Sequence, residues 1–409
     1  MVDGVANPPR EPDATLRTLT GISIAHWVSH LYILVLPMLF PFLREQLGVG
    51  FVELGFAITV FAVVSGLTQA PIGYLVDRVG ARLILLVGLA VGGLAFILLA
   101  FHLSYVNLIV AAAVLGLANS VYHPADYAIL AAHMDDTRMG RAFSIHTFAG
   151  FLGGAVAPAI VAGLLLAFGG RGALLVIGAV GPLVALLLAA MRIPDAGAAG
   201  STSGMATPKV SMMTPAILLL TAFFLLLGLS NSGIGSFGVV ALMGGYGSSL
   251  SGANLALTAF LGASATGVLA GGWLADRTAR HGQVAAVCFA VNALIVLMIA
   301  VTTLPPVLLV AALTVAGFLS GVIAPSRDMM VRNAAPPGAA GRAFGIVSTG
   351  FNLSGIAGPL LFGWIMDQHM PHWVFGASAI FMGLTVLLAL IPERSADLGK
   401  KPAVGILPS

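Results

Sequence analysis

The sequence predicts an all-α membrane protein of about twelve transmembrane helices, arranged as two pseudo-symmetric six-helix halves. Three observations predict it. Hydrophobic residues make up 59% of the 409 and charged residues only 8%, with a mean hydropathy of +1.04; a soluble domain normally carries about 25% charged residues. Apolar stretches long enough to cross a bilayer, which takes roughly 20 residues, recur along the whole chain. The second half also repeats motifs of the first at a nearly constant spacing.

Between charged or Pro/Gly breaks, the apolar stretches fall at 19–43, 51–76, 83–103, 105–131, 141–168, 172–191, 214–241, 253–275, 283–304, 306–332, 342–366 and 373–391. Most are apolar all round, so length and loop charge identify them better than periodicity does. With the N-terminus inside, all of the 18 Lys and Arg residues except Arg44, Arg171 and Arg327 fall at cytoplasmic ends, as the positive-inside rule requires. Both termini are then expected in the cytoplasm of a bacterial-type inner membrane. The pI near 9.2 reflects these loops and does not point to nucleic acid. Residues 1–18, with Pro8, Pro9 and Pro12 and no apolar core, read as a cytoplasmic tail rather than a signal peptide. The single cysteine, Cys288, lies within a span among apolar neighbours and reads as a packing residue.

The longest polar break, 194–213, is rich in Gly, Ala, Ser and Thr, as a flexible linker should be. It separates the halves 19–193 and 214–391 and leaves 392–409 as a C-terminal tail. Gly73-Tyr-Leu-Val-Asp77-Arg78 is answered 199 residues later by Gly272-Trp-Leu-Ala-Asp276-Arg277. Residues 140–158 match 341–359 at eight positions of nineteen, and Pro124 pairs with Pro325 at the same offset of 201. Parallel repeats of six spans mark a transporter architecture in which a cavity lies between the halves and alternating access follows from rocking one against the other.

The stretch Gly73-Tyr74-Leu75-Val76-Asp77-Arg78-Val79-Gly80-Ala81-Arg82 resembles the signature loop of the major facilitator superfamily, and Gly272 through Arg280 resembles its second, weaker copy. The resemblance implies that Gly73, Asp77, Arg78, Gly80 and Arg82, with Gly272, Asp276 and Arg277, gate the cytoplasmic side. Gly73 is expected to admit a neighbouring helix closely. Asp77 is expected to face the positive end of the helix beginning at Gly341-Arg342, and Arg78 and Arg82 to pair with Asp135 or Asp136. Tyr122-His123-Pro124, Gly140-Arg141-Ala-Phe-Ser144 and Gly150-Phe-Leu-Gly-Gly154-Ala-Val-Ala-Pro158 are similar to the fosmidomycin-resistance branch of efflux transporters and to an exporter motif. Helix bending and close packing alone would also account for these Gly and Pro residues.

Charged side chains within a bilayer cost about 2.5–3.5 kcal/mol each, so those present are candidate functional groups. They are Asp126 in the fourth span, and Arg327 and Asp328 in the tenth. Asp126 and Arg327 occupy repeat-equivalent positions, two residues after Pro124 and Pro325. Arg327 and Asp328, about 100° apart on a helix, are expected to face each other poorly, which leaves Asp126 as the better partner for Arg327. That pair would serve as a gate, or Arg327 would hold an anionic substrate bidentately while Asp126 exchanges a proton. Anchoring at the cytoplasmic rim is the plainer alternative.

His26 and His30 share a face of the first span, His123 lies in the fourth, and His146 opens the fifth. Imidazole titrates near physiological pH and suits proton coupling. Two histidines one turn apart can also bind a metal, but no cysteine is near and Asp126 is the one obvious carboxylate, so no metal or other cofactor is assigned. A hydrogen bond to a neighbouring helix would equally explain each histidine. In the second half the polar lining is neutral: Ser230, Asn231 and Ser232, then Ser348 and Asn352, with Gly233 and Gly235 marking a bend.

The chain therefore reads as a secondary transporter of a small molecule, coupled to protons and acting as a monomer in the lipid bilayer. No Walker phosphate loop is present, so ATP is not the expected energy source. The favoured cargo is an organic anion or drug moved outward; uptake of a metabolite by proton symport is the alternative. An intramembrane enzyme would need a nucleophile beside His123 and Asp126, and a sensor would need a soluble signalling domain; neither feature appears.

Overall fold

A computed structural model describes the backbone of residues 12–134, 136–195, 214–335 and 340–398, and the side chains of 15–134, 142–195, 214–335 and 343–391. Most of the predicted linker and much of both predicted tails lie outside the described residues. Every element within them is helical. The first half contributes α1 (Pro12–Met38), α2 (Phe40–Leu47), α3 (Phe51–Val79), α4 (Ala81–Phe101), α5 (Tyr105–His133) and α6 (Asp136–Ala190). The second contributes α7 (Pro215–Ser232), a π-helical turn (Gly233–Phe237), α8 (Gly238–Tyr246), α9 (Leu250–Ala275), α10 (His281–Val301), α11 (Pro306–Ala334), α12 (Ala340–Asp367) and α13 (His372–Leu398).

Eleven segments are long and apolar enough to cross a membrane. One of them, Ala142–Ala190, holds two crossings, because helix geometry breaks at Gly169 (φ 67°, ψ 179°). The break falls in the 168–172 gap between two predicted spans and brings the crossings to twelve. The helices α4 and α10 have 21 residues each, about 31 Å at 1.5 Å per residue, which matches a hydrocarbon core of about 30 Å. Ser104, Thr214 and Ser249 accept hydrogen bonds from the amides of Asn107, Ile217 and Gly252 and so start α5, α7 and α9. The first predicted span is interrupted at Leu39, between Pro37, which lacks an amide donor, and Pro41 at the start of α2.

The chain divides into two compact units, Met1–Gly204 and Met205–Ser409. In the first, α1 packs on α6, α3 on α5, and α4 on both α5 and α6. In the second, α7 packs on α12, α9 on α11, and α10 on both α11 and α13. The repeat seen in the sequence is thus repeated in the packing. A Cβ at Gly116 would collide with the Phe61 carbonyl, and one at Gly317 with the Phe260 carbonyl. These pairs stand 201 and 199 residues apart, so both units join their second and fourth crossings through the same small-residue contact. Exposed positions carry large apolar side chains, among them Leu67, Leu166 and Val307, while phenylalanines such as Phe96, Phe223 and Phe289 are buried.

The predicted bend in the seventh span is the π-helical turn Gly233–Phe237. A Cβ at Gly233 would strike Ser378 and come within 2.6 Å of the Phe362 ring, so close packing against α12 and α13 accompanies it.

Candidate functional site

In the first unit, α1, α5 and α6 bring four histidines and one carboxylate together. Asp126, on α5, has no exposed surface. Its Oδ2 lies 3.6 Å from His26 Nδ1 on α1 and 3.6 Å from His146 Nε2 on α6. The His26 and His146 rings stack with centroids 4.0 Å apart, and His30 and His123 approach His26 edge-on at 4.6 and 5.4 Å. One ligating atom from each of His26, Asp126 and His146 lies within 4.8 Å of the others. Both Asp126 oxygens, His26 Nδ1, His123 Nδ1 and both His146 nitrogens are buried without a hydrogen-bond partner among the described residues.

The glycines of α6 make the cluster possible. A Cβ at Gly150 would lie 2.6 and 2.7 Å from His26 ring atoms and 2.9 Å from His30 Cδ2, and one at Gly153 would strike the Trp27 carbonyl. The stretch similar to an exporter motif therefore has a packing role here: it lets α6 close on the two histidines of α1.

The repeat-equivalent position in the second unit carries the opposite charge. Arg327, on α11, donates from Nε to Asp328 Oδ1 at 2.8 Å. Its guanidinium carbon stands 5.0 Å from the centre of the Phe224 ring on α7 and 5.4 Å from that of Phe351 on α12. This corrects the expectation that the two neighbours face each other poorly. The arginine side chain has enough rotatable bonds to bridge the angle between adjacent positions, and within its own unit Asp126 has the ionisable neighbours His26 and His146. Asn231 and Asn352 are exposed, Ser348 is half-buried, and Ser230 is buried with its hydroxyl on the Leu227 carbonyl.

The loop matching the superfamily signature is held at its second glycine and second arginine. Among the described residues, a Cβ at Gly73 or at Gly272 would meet nothing within 4 Å. The demanding glycine is Gly80, whose φ of 105° disfavours other residues and whose Cβ would collide with Asp195. Asp195 Oδ1 accepts the Arg82 amide at 3.1 Å, and the Arg82 guanidinium donates to the Ala189 carbonyl at 3.0 Å. The side chains of Asp135, Asp136 and Arg342, the expected partners in this loop network, lie outside the described residues. Asp77 and Arg78 are exposed. In the second copy, Asp276 caps α9, and Arg277 folds back over Trp273, 4.1 Å from its ring centre.

Sequence reasoning named the histidines and Asp126 but missed Asp195, Phe224 and Phe351. Asp195 follows directly on a Pro at the end of a span, which was its one visible signal. The two phenylalanines look like any others in apolar helices.

Twelve crossings in two repeated units, with an ionisable group at the same position of each, Asp126 buried and Arg327 half-buried, define a polytopic membrane transporter. The chain belongs to the Major Facilitator Superfamily, whose model matches residues 22–235 and 218–406. It is 26% identical over 288 residues, 68% of this chain and 70% of the relative, to the fosmidomycin resistance protein of Escherichia coli (strain K12). It is 28% identical over 144 residues, 35% of this chain and 32% of the relative, to a probable L-galactonate transporter of the same organism. Its fold matches the crystal structure of a bacterial homologue of the human lysosomal transporter Spinster with a TM-score of 0.79 and 15% identity, over 96% of this chain and 100% of that one.

Proposed function

We propose that this transporter moves a small organic anion outward across a bacterial inner membrane in exchange for protons, working as a monomer by alternating access with both termini in the cytoplasm. The observation that carries the reading is the Arg327 guanidinium, seated over two phenyl rings with one nitrogen on Asp328. A planar fork that keeps its terminal N–H groups for a guest suits carboxylate or phosphonate, which takes two parallel hydrogen bonds. One relative is named for a sugar-acid cargo and another for drug resistance, which agrees with an anion or a drug. Protons are the proposed driving ion, with Asp126 and the four histidines of the first unit as the groups that exchange them. The loops Gly73–Arg82 and Gly272–Arg277 are proposed to gate the cytoplasmic side.

The test is the internal pH of proteoliposomes carrying the purified chain, challenged with phosphonates, carboxylates, neutral sugars and organic cations. Proton movement on adding anions, absent from Arg327→Ala, is the expected result. A response to sugars or cations that Arg327→Ala leaves unchanged overturns the anion reading. An inward anion gradient that alkalinises the lumen is the exchange signature, whereas one that acidifies it would favour symport instead.

A further inference from the structure

We propose that His26, Asp126 and His146 form a binding site for a divalent transition-metal ion of the zinc, cobalt and nickel class. The three donors come from three different helices, α1, α5 and α6, and the site is internal to one unit. Ligand bonds of about 2.0–2.2 Å in a tetrahedral site place the donor atoms about 3.4 Å apart. Two of the three separations here are 3.6 Å, and all lie within 4.8 Å. Closing on an ion then needs only small side-chain movements.

The second argument is what the atoms lack. Buried polar groups are almost always hydrogen-bonded, and an exception calls for a reason. Five of the six side-chain nitrogen and oxygen atoms of His26, Asp126 and His146 are buried without a hydrogen-bond partner among the described residues: His26 Nδ1, both His146 nitrogens and both Asp126 oxygens. A carboxylate taken out of water is costly unless a positive charge meets it, and an ion at this point meets it directly.

The donor set selects the ion. Two imidazole nitrogens with one carboxylate oxygen suit zinc, cobalt, nickel or copper, whereas calcium and magnesium prefer oxygen shells. Three protein ligands leave a fourth position open. His30 and His123, whose rings stand beside His26, are the nearest protein candidates for it. A divalent ion on one carboxylate leaves one net positive charge, so the open position also suits an anionic guest. The site goes beyond the transport reading and does not depend on the cargo. It uses the same lone pairs as the proposed proton exchange, so ion and proton exclude each other.

The experiment uses the full chain, purified with any affinity tag removed, with Cys288→Ser as the background so that no thiol competes. Cobalt(II) is the probe, followed by visible absorption and equilibrium dialysis. The expected result is one cobalt per chain with the intense visible bands of a four-coordinate site. Asp126→Asn and His146→Gln each weaken binding by more than the about 10- to 100-fold that loss of an outer-shell partner costs, while His102→Gln, on the surface, does not. Absence of the bands from the chain carrying all four histidines overturns the proposal without recourse to those variants. Cobalt bound equally by Asp126→Asn and His146→Gln also overturns it, since the ion then sits elsewhere. Neither outcome bears on whether anions are transported.

Discussion

The imidazole of His146 stacks on that of His26 with centroids 4.0 Å apart and planes inclined by 24°, and a nitrogen of each ring lies 3.6 Å from the same oxygen of Asp126. The stack and the nitrogen contacts are separable. His146→Phe keeps a flat ring against His26 and removes the nitrogens. A positioned proton-transfer group contributes about 100-fold or more, so anion-driven proton flux should fall at least about tenfold while the purified variant stays monodisperse. Flux at the parental rate would show that His146 serves only as a packing surface.

Gly150 and Gly154 offer a matched pair. A methyl at Gly150 invades the space of His26 and His30, whereas at Gly154 the nearest atom is 3.8 Å away. Gly150→Ala should lower thermal stability by about 1–3 kcal/mol, the usual cost of overpacking, and reduce transport. Gly154→Ala should leave both unchanged. Thermal unfolding in detergent and flux in proteoliposomes check the pair.

At Arg327 the expectation concerns shape as well as charge. Arg327→Lys keeps the charge but loses both the fork and the flat face over Phe224 and Phe351, so anion transport should fall about tenfold or more. Asp328→Asn removes the anion already bound to Nε and should tighten binding of added carboxylate several-fold, measured by calorimetry. Unaltered affinity in Asp328→Asn would mean that guest and Asp328 do not compete.

Asp195 holds the start of α4 as a helix cap does. Asp195→Ala should cost about 1 kcal/mol. Gly80→Ala should cost more, because it combines a left-handed φ, worth about 1–2 kcal/mol, with displacement of the Asp195 carboxylate. Gly73→Ala, with no described atom within 4 Å of the new methyl, should melt like the parent chain.

The fold was legible because bilayer thickness fixes helix length and loop charge marks helix ends; even the turn at Gly169 sits in a visible gap. The site was legible only as a list. Charge and histidine content single out Asp126, His26, His30, His123 and His146, but helices that are apolar all round give no phase to say which side chain faces which. The Arg327–Asp328 contact was misjudged for a related reason: helical angle describes where a side chain leaves the backbone, not where a long one ends. Asp195 escaped notice because its partner, the Arg82 amide, belongs to the backbone.

Because Arg327 and Asp328 are consecutive residues, their ion pair forms within α11 alone. The segment therefore reaches the membrane during synthesis as a neutral couple, not as two bare charges that would cost about 2.5–3.5 kcal/mol apiece at the middle of a span. Asp126 enters under harder terms: one of its imidazoles arrives earlier with α1, the other only after α6 has left the ribosome. The biogenesis of the two units should differ accordingly, with α11 inserting on its own and α5 depending on what is made before and after it.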